Sequence, residues 1–205
     1  MKIKMYPKSP APRHVQQAVD VLKEGGVIII PTDSVYAFAC MSTHPNAIKR
    51  MAEIKGISVE KANFSFVFSD LSMLGDYARL VSNDAFKLMK RLLPGPFTFI
   101  LNAGQAVTKM IPSKKTIGIR LPDNKIPVEL VRELGVPILT TSVYDDDSIL
   151  EYTTDPDVIA DKYEKIVDLV IDGGFGHNEP STVLDCSGSE VVLIRQGIGE
   201  IEEFV

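Results

Sequence analysis

Short apolar runs alternate with amphipathic stretches along most of the chain. Val15, Ala18, Val19 and Leu22 recur at helical spacing, and Gly25-Gly26 ends that helix. Val27–Ile30 follows as an unbroken apolar run rich in β-branched residues, the mark of a buried strand. Asn46 to Lys55 reads as a second helix with Ile48, Met51 and Ala52 inward and Gly56 as its stop. Phe64–Phe68 is a strand. Ser82 caps a helix carrying Ala85, Phe86, Met89 and Leu93, closed by Pro94-Gly95-Pro96. Phe97–Leu101 and Thr116–Leu121 are strands, Pro127–Leu134 is a helix ended by Gly135, and Ile138–Thr141 is a strand. Asp155, with Pro156 in the first turn, opens a helix to about Ile166. Val167–Ile171, Thr182–Leu184 and Val191–Ile194 complete the strands.

Strands interleaved with helices predict an α/β fold. The strands crowd together near the C-terminus, so the expected sheet is mixed, with antiparallel pairs, and flanked by helices. No repeat, low-complexity segment or linker-like cluster divides the chain, which reads as a single domain over residues 1–205.

Composition narrows the function classes. The 205 residues are 45% hydrophobic and 24% charged, which is ordinary globular composition and excludes wholesale disorder. No run approaches the ~20 apolar residues of a membrane span. The basic start, Met1 to Lys8, leads into no apolar signal core, so secretion is not expected. Two cysteines, Cys40 and Cys186, build no disulfide framework, and a reducing cytoplasm is the expected setting. The net charge of −5 argues against indiscriminate nucleic-acid binding but leaves room for a local basic groove. His14, His44 and His177 lie too far apart in sequence to signal a histidine metal site, and no metal ligands are assigned.

Ligand chemistry in α/β proteins usually gathers at strand ends, and four polar clusters stand there. Pro31-Thr32-Asp33-Ser34-Val35-Tyr36 follows the first buried strand; the plain alternative is a turn whose side chains satisfy their own backbone. Lys55-Gly56 ends the second helix, where a lysine either complements the dipole or reaches a phosphate. In Lys115-Thr116-Ile117-Gly118-Ile119-Arg120, alternation puts Arg120 on the face opposite the isoleucines. Its planar fork suits a carboxylate or phosphate, with a salt bridge as the alternative. Finally, Pro180-Ser181-Thr182 begins one strand and Arg195-Gln196-Gly197 ends the next, so a hairpin would bring them together.

No nucleophile elbow, Walker-type loop or dinucleotide fingerprint occurs. Cys40 sits in an apolar run and reads as packing. Cys186 follows Asp185, which disfavours a thiolate. His177, in a Gly-rich loop, reads as a solvated turn residue.

The ordered set of motifs resembles the YrdC-type family, which contains the threonylcarbamoyl-AMP synthases. Its marks are Pro31–Tyr36, Leu93-Pro94-Gly95-Pro96-Phe97-Thr98, Ile117–Pro122, Pro180–Asp185 and Ile194-Arg195-Gln196-Gly197. The chain is more similar to the YciO-like branch, in Asn63-Phe64, Ser69–Ser72, Lys115–Gly118 and Tyr36–Cys40. The resemblance implies a twisted sheet with a concave, cation-lined face. It also implies a reaction in which L-threonine, bicarbonate and ATP give threonylcarbamoyl-AMP and pyrophosphate for tRNA modification, with Mg²⁺ bridging phosphates. By that resemblance Lys55 and Arg195 hold phosphates and Arg120 takes the amino-acid carboxylate. Thr32, Ser34, Tyr36, Ser142, Ser181 and Thr182 contribute to substrate binding.

Two departures bear on the activity. Where the synthases carry Lys-x-Arg, this chain reads Lys55-Gly56-Ile57; where they carry Ser-x-Asn, it reads Ser142-Val143-Tyr144. Each lost charge-assisted contact is worth ~1.5–3 kcal/mol, roughly ten- to a hundredfold in rate. Lys61 is a candidate substitute, and Asp145-Asp146-Asp147 reads as a solvated loop or a Mg²⁺-holding run. The expectation is a synthase-like nucleotidyltransferase with weakened activity or a changed substrate. The competing reading is a non-catalytic module binding RNA or nucleotides on the same face.

Overall fold

Every strand predicted from the apolar runs joins one sheet. The structure, a computed structural model, describes residues 1–143 and 154–201. Its strands are β1 (Lys2–Lys4), β2 (Ile28–Ile30), β3 (Ala37–Met41), β4 (Ser65–Val67), β5 (Ala78–Arg79), β6 (Phe97–Ala103), β7 (Thr116–Arg120), β8 (Ile138–Ser142), β9 (Leu169–Asp172), β10 (Thr182–Asp185) and β11 (Val192–Arg195). Their order is β1-β9-β2-β3-β8-β4-β7-β6-β10-β11, with β5 also on β6. The pairs β1–β9, β2–β9, β4–β7 and β6–β10 are parallel. The pairs β2–β3, β3–β8, β4–β8, β5–β6, β6–β7 and β10–β11 are antiparallel. The expected mixed sheet is therefore present.

Seven helices flank it among the described residues: α1 (Pro12–Lys23), α2 (Pro45–Ile54), α3 (Leu74–Tyr77), α4 (Asn83–Leu92), α5 (Gln105–Met110), α6 (Lys125–Leu134) and α7 (Pro156–Tyr163). Their ends follow local chemistry. The Ser82 hydroxyl accepts from Ala85 N–H at 3.1 Å, and Asn124 and Asp155 cap α6 and α7 in the same way. Gly135, at φ +71°, closes α6 in the left-handed conformation that a side chain resists.

Residues paired across strands share a face, and neighbours along a strand alternate. Following the register gives two unequal faces. Ile29, Phe38, Leu139, Phe66, Ile119, Phe99 and Leu184 fall on one face. All join one buried cluster with side chains of α2, α3, α4, α5 and α7. The opposite face is covered over only part of its width. There α1 and α6 pack Val19, Leu22, Ile126 and Leu130 onto Ile28, Ile30, Ala37, Val67 and Ile171. Fully burying one such side chain stabilises by roughly 1.5–3 kcal/mol. Beyond α1 and α6 this face turns polar, and no helix among the described residues covers it.

Some elements were not foreseen. β1 has one apolar residue between two lysines and gains its place only by pairing with β9. β3 merges in sequence with the polar motif before it. β5, α3 and α5 are too short to show a period. Phe86 is 39% exposed on α4, with the Lys90 ammonium 5.5 Å from its ring centroid. No helix among the described residues is long and apolar enough to cross a membrane.

Candidate functional site

The open part of the second face floors a cleft of about 400 Å³. Ser65, Thr98, Gly118, Arg120, Thr140, Ser142 and Val183 rise from it on β4, β6, β7, β8 and β10. Gly118 keeps this floor low. A Cβ there would stand 3.0 Å from Ser65 Oγ and 3.1 Å from Thr98 Cγ2. Phe64, Ile111, Ile117 and Ile194 add apolar wall.

One end is built on the loop after β2. Arg120 Nη2 donates to Asp33 Oδ1 at 2.6 Å and to Ser34 Oγ at 3.0 Å. Asp33 Oδ2 accepts from Asp123 N–H at 2.8 Å, which ties the loop to the chain after β7. Burial pulls the Arg120 pKa below its ordinary value; Asp33 opposes that pull and Arg195 adds to it. Arg120 Nε is buried and has no hydrogen-bond partner among the described residues. Such a donor costs ~1–3 kcal/mol until an acceptor reaches it.

The second wall is the β10–β11 hairpin foreseen from sequence. Arg195 donates through Nη2 to the Ser181 carbonyl at 2.8 Å. Ser181 Oγ lies 2.8 Å from Thr98 Oγ1, so that hydroxyl pair is held on the cleft side. Burial also lowers the Arg195 pKa.

The sequence candidates separate into two groups. Ser34, Arg120, Ser142, Ser181 and Arg195 line the cleft together. Thr32, Tyr36, Thr182 and Lys55 are not among the lining residues. Thr32 Oγ1 donates to Val35 carbonyl at 2.8 Å and accepts from Ser34 N–H at 3.0 Å, holding its own turn. The Tyr36 hydroxyl donates to the Gly174 carbonyl at 2.7 Å and accepts from Gly173 N–H at 3.1 Å. Burial raises its pKa. Thr182 Oγ1 donates to the Gly199 carbonyl at 2.6 Å and accepts from Gly197 N–H at 2.9 Å. Lys55 is the half-buried C-cap of α2, and Ile57 is 40% exposed just beyond it. Tyr144 and Asp145–Asp147 lie outside the described residues.

Lys114 and Asn63 also line the cleft. Neither was assigned a role from sequence, since a lysine before a strand carries no signal of direction. Among the described residues the lining contains no carboxylate, and no group of three or more His, Cys, Asp or Glu is arranged for a metal.

The family model of Sua5, YciO and YrdC proteins, described as telomere recombination, matches residues 20–197. The chain belongs to the Sua5/YciO/YrdC family. Within that family it is 43% identical over 205 residues to an uncharacterised Haemophilus influenzae protein, covering 98% of this chain and 97% of that one. It is 40% identical to Escherichia coli YciO over 98% and 97% of the two chains. The crystal structure of E. coli YciO superposes with a TM-score of 0.90, covering 100% of this chain and 99% of the other at 38% identity. The threonylcarbamoyl-AMP synthase of Bacillus subtilis is 30% identical over 89% of this chain, which spans about half (53%) of that enzyme. Pyrococcus abyssi Sua5, crystallised with L-threonine, superposes at a TM-score of 0.85 and 25% identity, covering 96% of this chain and 57% of the other. The resemblance to the YciO-like side of the YrdC-type family is borne out. Its relation to threonylcarbamoyl-AMP synthases stands at the level of the family.

Proposed function

We propose that the cleft binds ATP and an amino acid, threonine by family relation, and forms a carbamoyl-adenylate of the threonylcarbamoyl-AMP type. The observation that carries this reading is the set Ser34, Arg120, Ser142, Ser181 and Arg195 converging on one cleft whose lining, among the described residues, has two guanidinium groups and no carboxylate. Such a cleft favours anions and offers hydroxyls to orient them.

The chemistry asks for no protein nucleophile. The threonine amine and bicarbonate condense to a carbamate with loss of water. A carbamate oxygen then attacks the α-phosphorus of ATP; the new O–P bond forms as the bond to the pyrophosphate breaks. Catalysis by this chain is alignment and charge neutralisation. Arg120 is held through Nη2 by Asp33 and Ser34, and its guanidinium charge at the cleft is suited to the amino-acid carboxylate. Arg195, anchored on the Ser181 carbonyl, keeps its remaining donors for the α-phosphate. Ser142 and Ser181 orient the substrates. Mg²⁺ enters as part of the MgATP substrate, bridging its phosphates.

The test is pyrophosphate release from MgATP with and without threonine and bicarbonate, with the adenylate sought by mass. Release that needs both small substrates supports the reading. Absence of any such dependence in protein that binds ATP overturns it and leaves a nucleotide-binding module.

A further inference from the structure

The cleft has a second cationic end that the family motifs do not include. Lys114 lies in the turn between α5 and β7, its N–H bonded to the Ile111 carbonyl at 3.0 Å. It lines the cleft beside Asn63, Ile111 and Thr116. Arg120 lies four residues beyond Thr116 on the same strand, about 13 Å away at ~3.3 Å per residue. One phosphate cannot bridge that distance, so the cleft is a slot with a cation at each end.

We propose that Lys114 is the residue that takes the terminal phosphates of the nucleoside triphosphate, and then the cleaved pyrophosphate, at the end of the cleft remote from Arg120. The inference rests on the nucleotide reading given above and assigns the direction in which the nucleotide lies.

Three observations support it. Lys114 is half-buried, yet among the described residues its ammonium closes no salt bridge. Burial lowers its pKa, and Glu60, on the loop after α2, only partly opposes that. Glu60 is itself engaged by Ser58 and does not close a salt bridge with it. A partly desolvated cation in a lining without a carboxylate among the described residues is completed by an anionic ligand. Second, Lys55 lies outside the lining, so the ammonium that the cleft does present is Lys114. Third, the two ends differ in kind. The Arg120 end is a planar guanidinium fixed through Nη2 by Asp33 and Ser34, suited to a carboxylate in one orientation. The Lys114 end is a point charge with three rotatable donors, suited to the spherical charge of terminal phosphates.

The test is calorimetric titration of the whole chain with MgATP, AMP and inorganic pyrophosphate, for the wild type, Lys114→Gln and Lys114→Arg. Lys114→Gln should weaken MgATP and pyrophosphate about tenfold or more, the value of one charge-assisted contact. It should leave AMP affinity within twofold, and Lys114→Arg should restore most of the loss. Unchanged MgATP affinity in Lys114→Gln overturns the assignment. So does an equal loss for AMP, because the effect would then not belong to the terminal phosphates. A wild type that binds neither MgATP nor pyrophosphate overturns both this assignment and the nucleotide reading. Lys114-dependent binding of pyrophosphate without threonine-dependent turnover keeps the assignment and removes the synthase.

Discussion

Arg120 and Asp33 form an ion pair 2.6 Å apart in which each side chain is only 8% exposed. The pair joins a strand of the sheet to the loop after β2. It also fixes the guanidinium through Nη2, while Nε stays buried and, among the described residues, without a partner. Removing one partner strands the other charge in a dry site, at a cost of roughly 3–5 kcal/mol. Asp33→Ala and Arg120→Ala should each lower the unfolding free energy measured in urea by that order. The double variant should lose clearly less than the sum of the two. Additive losses would mean that the two residues stabilise the fold separately.

Gly118 controls the depth of the cleft. Its absent side chain leaves room between Ser65 and Thr98, and a branched replacement would stand in the ligand's volume. Gly118→Val should reduce ATP affinity at least ~tenfold, the value of about 1.4 kcal/mol. Its far-ultraviolet circular dichroism should be unchanged. Retained affinity would put the nucleotide elsewhere.

Leu80 is the non-glycine residue with a positive φ among the described residues, at +54°, and its side chain is 82% exposed. A leucine there bears roughly 1–2 kcal/mol of left-handed strain with no burial to offset it. Asparagine tolerates that region better. Leu80→Asn should therefore raise the unfolding free energy by about 1 kcal/mol in chemical denaturation. A loss of stability would show that Leu80 packs in a way that its exposure conceals.

Alkaline pH should weaken the fold. Burial pushes the Cys40 thiol up to about 12 and the Cys186 thiol up to about 11, with Asp185 adding to the second. Unfolded thiols ionise near ~8.5. The folded state therefore holds protons that the unfolded state releases, and stability is full below about pH 8.5 and falls as pH rises toward 11. Urea titrations at pH 8, 9 and 10 should show a falling midpoint, with a shallower fall in Cys40→Ala. Native protein should also react with iodoacetamide far more slowly than unfolded protein at pH 8.

The sequence was most legible where local chemistry and tertiary placement agree. Ser82 caps a helix in both readings, and the alternation that separates Arg120 from Ile117 and Ile119 survives in the structure because β7 is central and paired on both sides. Alternation also explains why Ser181 faces the cleft while Thr182, its neighbour, closes onto Gly197 and Gly199. Lys114 was illegible because its role depends on which strands leave the second face uncovered. That is decided by α1 and α6, far away in sequence. The bonds that Thr32 and Tyr36 make to their own chain could not be read from sequence, because a hydroxyl serving a nearby carbonyl and a hydroxyl serving a substrate are the same letter.

The cleft draws its lining from residues between Ser34 and Arg195, on strands far apart in the chain. No contiguous fragment carries the site, so it exists only when the whole sheet is assembled. A ligand that binds it therefore stabilises the entire protein by RT ln(1 + [L]/Kd), about 2.7 kcal/mol at a hundredfold excess over Kd. The melting temperature thus becomes a chemical sensor. A panel of nucleotides and amino acids, scanned for the compound that most delays thermal unfolding, reads out the natural substrate before any product has been identified.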